Sequence, residues 1–263
     1  MALKDCRDVW YDAEKKVAVT FVDVTDAAQE LARAHLCGPT AAHYLAKGLA
    51  AAALLGAETS ETDETVIVQM KCTGPLGGLN VECTREGTLR GYTEKKILDD
   101  FDGLGRPKDK AVLGDCQVQV TRSVPGRILS QGISSSLDGY LAGSLQRKAT
   151  IQLEASVTDD VEVLMARGVL VEELPDGRDT GVLGVKFKSL AVAERNILKQ
   201  LGLSNAEQKQ STPLAFKCRC SRERAEAMLA ALGDEERKSL PPTIDVTCHM
   251  CGKTWTVRTA KEA

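Results

Sequence analysis

The chain has 263 residues, 43% hydrophobic and 27% charged, which suits one large globular domain or one domain with a small appendage. A formal net charge of −3 and a pI of about 5.8 argue against a protein whose main business is binding nucleic acid, where a basic face is expected. Aromatic residues make up only 4%, so the core must be built from Ala, Leu, Val and Ile.

The segment from Met1 to Lys16 carries Asp5, Asp8, Asp12 and Glu14 without an apolar run, and is not read as a signal peptide. Val17 to Val24 is rich in β-branched residues and predicts a strand. Thr25 or Asp26 is the expected cap of a helix from Ala27 to about Leu36, which Gly38-Pro39 breaks. A second helix runs from Thr40 through Leu55 to Gly56, apolar nearly all round with Lys47 as its one charge, so it belongs in the middle of the domain. Its most apolar run, Leu49 to Leu55, is too short to span a bilayer.

Glu58 to Glu64 reads as a polar loop. Val66–Cys72, Leu79–Cys83 and Thr88–Tyr92, separated by Gly-rich turns, predict an antiparallel meander. The first of those turns, Gly74 to Gly78, lacks the Lys-Ser/Thr ending and the following helix of a phosphate loop. Asp99 to Lys110 is a loop, and strands follow near Gln117–Arg122 and Arg127–Ile133. Ser134 to Ser136 cap a helix through Leu145; Ile151–Val157 and Val161–Leu174 are two more strands, and Leu174-Pro175-Asp176-Gly177 ends the globular pattern. Val185 to Leu203 turns helical, with Phe187, Leu190, Ile197, Leu198 and Leu201 forming a stripe that must dock on the sheet or on a partner.

The tail carries the strongest signal. Cys218-Arg219-Cys220 and Cys248-His249-Met250-Cys251 are a C-x-C and a C-x-x-C, the ligand set for one tetrahedral ion, with Zn²⁺ the leading choice. Four thiolates close such a site to substrate, so no enzymatic role is expected of it. Ser221 caps a helix from Arg222 to Leu232 that Gly233 closes, and Asp234 to Leu240 adds a further turn. Thr243–Cys248 and Thr254–Val257 form a hairpin around the knuckle, whose tight turn needs Gly252. The other cysteines, Cys6, Cys37, Cys72, Cys83 and Cys116, have no ligand spacing and read as small buried hydrophobes, with Cys72 and Cys83 near each other across the meander. His249 reads as a solvated spacer, His35 and His43 as structural, and Arg222 to Arg224 as a solvated helix face. Free thiols and metal ligands, rather than disulfides, fit a cytoplasmic or similarly reducing compartment.

Together these readings give an α+β chain in three parts. Residues 1–180 form an N-terminal mixed, largely antiparallel sheet packed with helices. Residues 181–214 form a helical linker, and 215–263 a small C-terminal Cys₄ zinc-binding module.

The tail phrase Phe216-Lys217-Cys218-Arg219-Cys220-Ser221-Arg222-Glu223-Arg224, then Leu232-Gly233 and Cys248 to Lys253, resembles the redox-regulated chaperones of the heat-shock protein thirty-three family. So do Pro39 to Gly56, Gln69 to Gly77, Val81-Glu82 and Arg90-Gly91-Tyr92. The resemblance implies an ATP-independent holdase, inactive while reduced and zinc-bound. It implies that oxidation pairs Cys218 with Cys220 and Cys248 with Cys251, releases zinc and unfolds the tail and linker. It further implies unfolding client proteins as partners and a homodimer in the oxidised form, with no role for nucleic acid or membrane. Three alternatives stand beside it: a constitutive protein-binding module with a purely structural zinc, a nucleic-acid-binding zinc ribbon, and a thiol oxidoreductase using Cys248 and Cys251.

Overall fold

A computed structural model describes residues 5–105, 108–175, 180–233, 235–236 and 239–259. Two large sheets sandwich one buried helix. The first sheet runs β10-β1-β2-β9-β8, all antiparallel, with β1 at Cys6–Asp12, β2 at Val17–Asp23, β8 at Lys148–Val157, β9 at Val163–Glu173 and β10 at Glu207–Pro213. The second runs β11-β5-β4-β3-β6-β7, with β3 at Thr65–Cys72, β4 at Gly78–Thr84, β5 at Thr88–Thr93, β6 at Cys116–Val124, β7 at Arg127–Ser134 and β11 at Ala215–Phe216. The predicted meander is β3-β4-β5, and the Gly74–Gly78 segment is the turn that joins its first two strands.

Helix α2 (Pro39–Leu55) lies between the sheets, packed against β4, β9, β8 and β5. Its nearly all-round apolar sequence is thereby explained: only Pro39, His43 and Lys47, one stripe at four-residue spacing, reach solvent at all, and every other position is buried. Pro39 opens it at the first position, where a missing N–H costs nothing. Helix α1 (Thr25–His35) packs beside it. The expected cap at Thr25 or Asp26 is wrong, because both residues lie inside α1. The amides of Asp26 and Ala27 instead donate to the carboxylate of Asp5, at 3.0 and 2.7 Å. Burial raises the Asp5 carboxyl to about 6 against the pull of those two amides.

Alternation along β2 and β9 gives the first sheet two buried faces. Val22, Ala166 and Leu170 face the core around α2. Val17, Val19, Phe21, Val169 and Val171 face a second apolar cluster supplied by residues 182–206. Phe187, Leu190, Ile197, Leu198 and Leu201 are all buried there, as their spacing predicts, and the surface they cover is the sheet.

The helical reading of Val185 to Leu203 holds only for α5 (Glu194–Gln200). Upstream, sheet side chains take the backbone groups that a helix would need. Gln152 donates to Phe187 O at 2.7 Å and accepts from Phe187 N at 3.1 Å. Arg167 Nη1 donates to Leu190 O at 3.1 Å, and Glu154 accepts from Leu190 N. Downstream, β10 joins β1, so residues 181–214 contain a sheet strand as well as a helix. Leu174-Pro175 ends β9, but the packed pattern resumes at Val182; Asp176 and Gly177 lie outside the described residues. The helix expected after Ser136 is α4 (Leu137–Gly143), whereas β1, β10, β11 and α3 (Asp109–Leu113) fall where the sequence reading assigned neither strand nor helix.

The segment is latched at α5. Trp10 Nε1 donates to Glu194 Oε2 at 2.7 Å, beneath Arg195 stacked 4.3 Å from the indole. Burial, then the neighbouring Asp8 charge, pushes the Glu194 carboxyl up to about 7. A carboxyl whose folded value lies above its unfolded one binds more protons when folded, so stability falls as pH rises between the two. Glu194→Gln keeps an acceptor for Trp10 and removes that loss. Thermal melts should show it stabilised by on the order of 1–2 kcal/mol at pH 8, after discounting for partial exposure, and unchanged at pH 4. An equal effect at both pH values would contradict the assignment.

Candidate metal centre

The tail forms a small unit of its own. Helix α6 (Arg222–Ala230) is capped by Ser221 Oγ, which accepts from Arg224 N at 3.2 Å, as read from the sequence. The hairpin of β12 (Thr243–Thr247) and β13 (Thr254–Arg258) packs on α6 through Ala225, Leu229 and Val257. Part of the turn expected over Asp234 to Leu240 lies outside the described residues. The knuckle closes with Gly252 N donating to Cys248 O at 2.8 Å and Cys248 N to Lys253 O at 2.9 Å.

Cys218 and Cys220 follow directly on β11, which pairs in parallel with β5. Ala215 N donates to Gly87 O and Lys217 N to Leu89 O, both at 3.0 Å, which sets Cys218 over β5. The Sγ atoms of Cys218, Cys220, Cys248 and Cys251 then lie within 4.8 Å of one another. Cys218 is 3.8 Å from Cys248, and Cys220 is 3.4 Å from Cys251. A metal–thiolate bond of about 2.3 Å puts tetrahedral ligands about 3.8 Å apart, so this quartet can hold one metal ion. None of the other five cysteines joins it, and His249 is exposed, edge-on to Tyr92 at 5.9 Å.

The quartet is pinned to the second sheet by charges whose mutual contact the sequence reading did not foresee. Glu82 on β4 and Arg90 on β5 are cross-strand neighbours. Glu82 Oε1 pairs with Arg90 Nη2 at 2.7 Å, and Glu82 Oε2 with Arg219 Nη2 at 2.9 Å, Arg219 being the residue between the first two cysteines. Arg90 Nη1 also reaches Cys218 Sγ at 3.8 Å. Burial opposes ionisation of Cys218, but the Cys220 amide, then Arg90, outweigh it and bring the thiol down to about 7. Burial raises Cys248 and Cys251.

On its other side the knuckle rests on the end of α1. His35 is buried, and its Nε2 donates to Gly91 O at 2.9 Å, while Gly91 N donates to Met250 O at 3.2 Å. Gly252 sits at φ 71°, and a Cβ there would meet Ala34 O at 2.4 Å. Gly252→Ala must therefore either strain the turn or lift the knuckle off α1. It should weaken metal retention by on the order of 1–3 kcal/mol, read as an earlier midpoint in a competition with a colorimetric chelator. An unchanged midpoint would show that the knuckle does not need that seat.

The expected neighbourhood of Cys72 and Cys83 is corrected. Cys83 is buried 3.8 Å from Arg7 Nη1, and Cys72 faces Cys116 instead. No helix among the described residues is long and apolar enough to cross a membrane.

The family model described as Hsp33 protein matches residues 10–258. A 33 kDa chaperonin of Thermus thermophilus is 28% identical, covering 90% of this chain and 79% of that protein. One of Symbiobacterium thermophilum is 29% identical, covering 88% and 87%. The crystal structure of a 33 kDa chaperonin from Thermotoga maritima superposes with a TM-score of 0.80 at 18% identity, over 98% of this chain and 96% of that one, and shares the fold. With a model that spans nearly its whole length, and with four cysteines converging beside the second sheet, the chain belongs to the Hsp33 family of chaperones.

Proposed function

We propose that this protein is an oxidant-activated holdase whose switch is the Cys218, Cys220, Cys248 and Cys251 quartet. In the reduced state the four thiolates hold one Zn²⁺, the ion that best suits a closed tetrahedral sulfur site. Two equivalents of a two-electron oxidant, peroxide or hypochlorous acid, each take two electrons from one pair, forming Cys218–Cys220 and Cys248–Cys251 disulfides and freeing the zinc. Partners within C-x-C and C-x-x-C close without long-range movement. A module with so few buried apolar residues of its own then unfolds.

The observation that carries this reading is continuity. The segment that covers the outer apolar face of the first sheet leads through β10 and β11 straight into Cys218. Loss of the tail therefore loosens the cover over Val17, Val19, Phe21, Val169 and Val171, a surface suited to the apolar stretches of unfolding proteins. No nucleotide enters the cycle, and the oxidised form is a homodimer. A reducing compartment such as the cytoplasm supplies the resting state.

The test is light scattering from an aggregating client. Oxidised, zinc-free protein should suppress scattering at near-stoichiometric ratios, and reduced, zinc-loaded protein should not. Equal suppression by both forms would instead make this a constitutive binder with a structural zinc.

A further inference from the structure

Cys72 and Cys116 are directly opposed on neighbouring antiparallel strands, β3 and β6, with their Sγ atoms 3.1 Å apart. The next pair along the ladder is Thr73 and Asp115, where Thr73 N donates to Asp115 O at 2.9 Å. Narrow and wide pairs alternate in an antiparallel ladder, so Cys72 and Cys116 occupy the non-hydrogen-bonded kind. There the Cα atoms lie about 4.5 Å apart and the side chains are closest, within the range that a disulfide spans without backbone movement. Both residues are partly exposed, so a small oxidant can reach them.

We propose that Cys72 and Cys116 form a second redox site, closing a disulfide across the second sheet under hypohalous acid stress. The step balances with one oxidant. Hypochlorous acid transfers chlorine to one thiol, releasing water. The facing thiol attacks that sulfur and expels chloride, and its proton goes to solvent. Two thiol hydrogens are lost, and the oxidant takes up two electrons.

Burial, then Cys116, raises the Cys72 thiol to about 12, so Cys72 stays a thiol where an ordinary cysteine ionises. A protonated Cys72 favours an electrophilic chlorine oxidant over peroxide, which needs a thiolate. The bond would cross-link β3, a strand inside the second sheet, to β6, closing a loop between residues 44 apart in sequence. It staples the core while the tail is unfolded. The disulfide itself needs nothing from the tail, whereas its use as a staple while the tail is unfolded rests on the proposed switch.

The experiment treats the full zinc-loaded chain with increasing hypochlorous acid, follows zinc release, blocks remaining thiols with an alkylating agent and maps peptides without reduction. Once zinc is released, most chains should yield a Cys72–Cys116 linked peptide pair, two hydrogens lighter than the separate peptides. Cys116→Ala and Cys72→Ala should each abolish that pair while retaining one zinc per reduced chain. The oxidised wild type should also melt higher than either oxidised variant, by on the order of 5–10 °C. Recovery of Cys72 and Cys116 as singly alkylated peptides, or as sulfonic acids, at doses that strip the zinc would overturn the proposal. An unshifted melt would overturn the stapling role.

Discussion

Cys251→Ser is expected to empty the metal site and unfold the tail while the two large sheets persist. Three thiolates and a hydroxyl make a poor site for a soft divalent ion. The tail has little else to hold it, because only Ala225, Leu229 and Val257 are fully buried in its apolar cluster. Structural zinc in modules of this size contributes on the order of 10 kcal/mol or more, so metal loss and unfolding are one event. Elemental analysis should fall from one metal per chain to near zero. Limited proteolysis should cut freely beyond Cys218, and the main thermal transition should stay within a few degrees of wild type. A Cys251→Ser protein that keeps its metal and resists protease would sink both the site and the switch built on it.

Leu198→Glu should release the cover from the first sheet without touching the metal. Leu198 is 1% exposed, within the cluster that includes Leu203, Val17, Val19 and Phe21. An unpaired carboxylate there costs on the order of 3–5 kcal/mol, more than a loosely structured segment is expected to absorb while docked. The expected result is strong binding of a hydrophobic dye and client capture in the reduced state, with one zinc per chain retained. Wild-type dye binding and inactivity until oxidation would mean that the outer face of the first sheet is not the capture surface.

Much of this was legible in the residues. The meander, the largely apolar α2, the Ser221 cap and the tail hairpin follow from local pattern, because each element's chemistry is complete within its own stretch. The convergence of the four tail cysteines was legible for the same reason, since two short motifs supply the whole quartet that could hold an ion. The misses are non-local. Strand β10, Glu207–Pro213, has almost no apolar residue and is a strand only because β1 offers it a ladder. Residues 185–193 carry a helical stripe but give their backbone groups to Gln152, Glu154 and Arg167, which spacing does not reveal. The Glu82, Arg90 and Arg219 cluster joins three distant positions. The Asp5 cap of α1 reaches across two strands and the turn between them.

The pairing of β10 with β1 joins ends of the chain about two hundred residues apart, as the Gln208–Asp8 hydrogen bond illustrates. During synthesis, β1 therefore waits with one flank bare until translation has passed Pro213, and β5 waits for Phe216. The polypeptide spends nearly all of its own assembly in a half-closed condition, so premature termination anywhere before the tail leaves two open strand edges on the product.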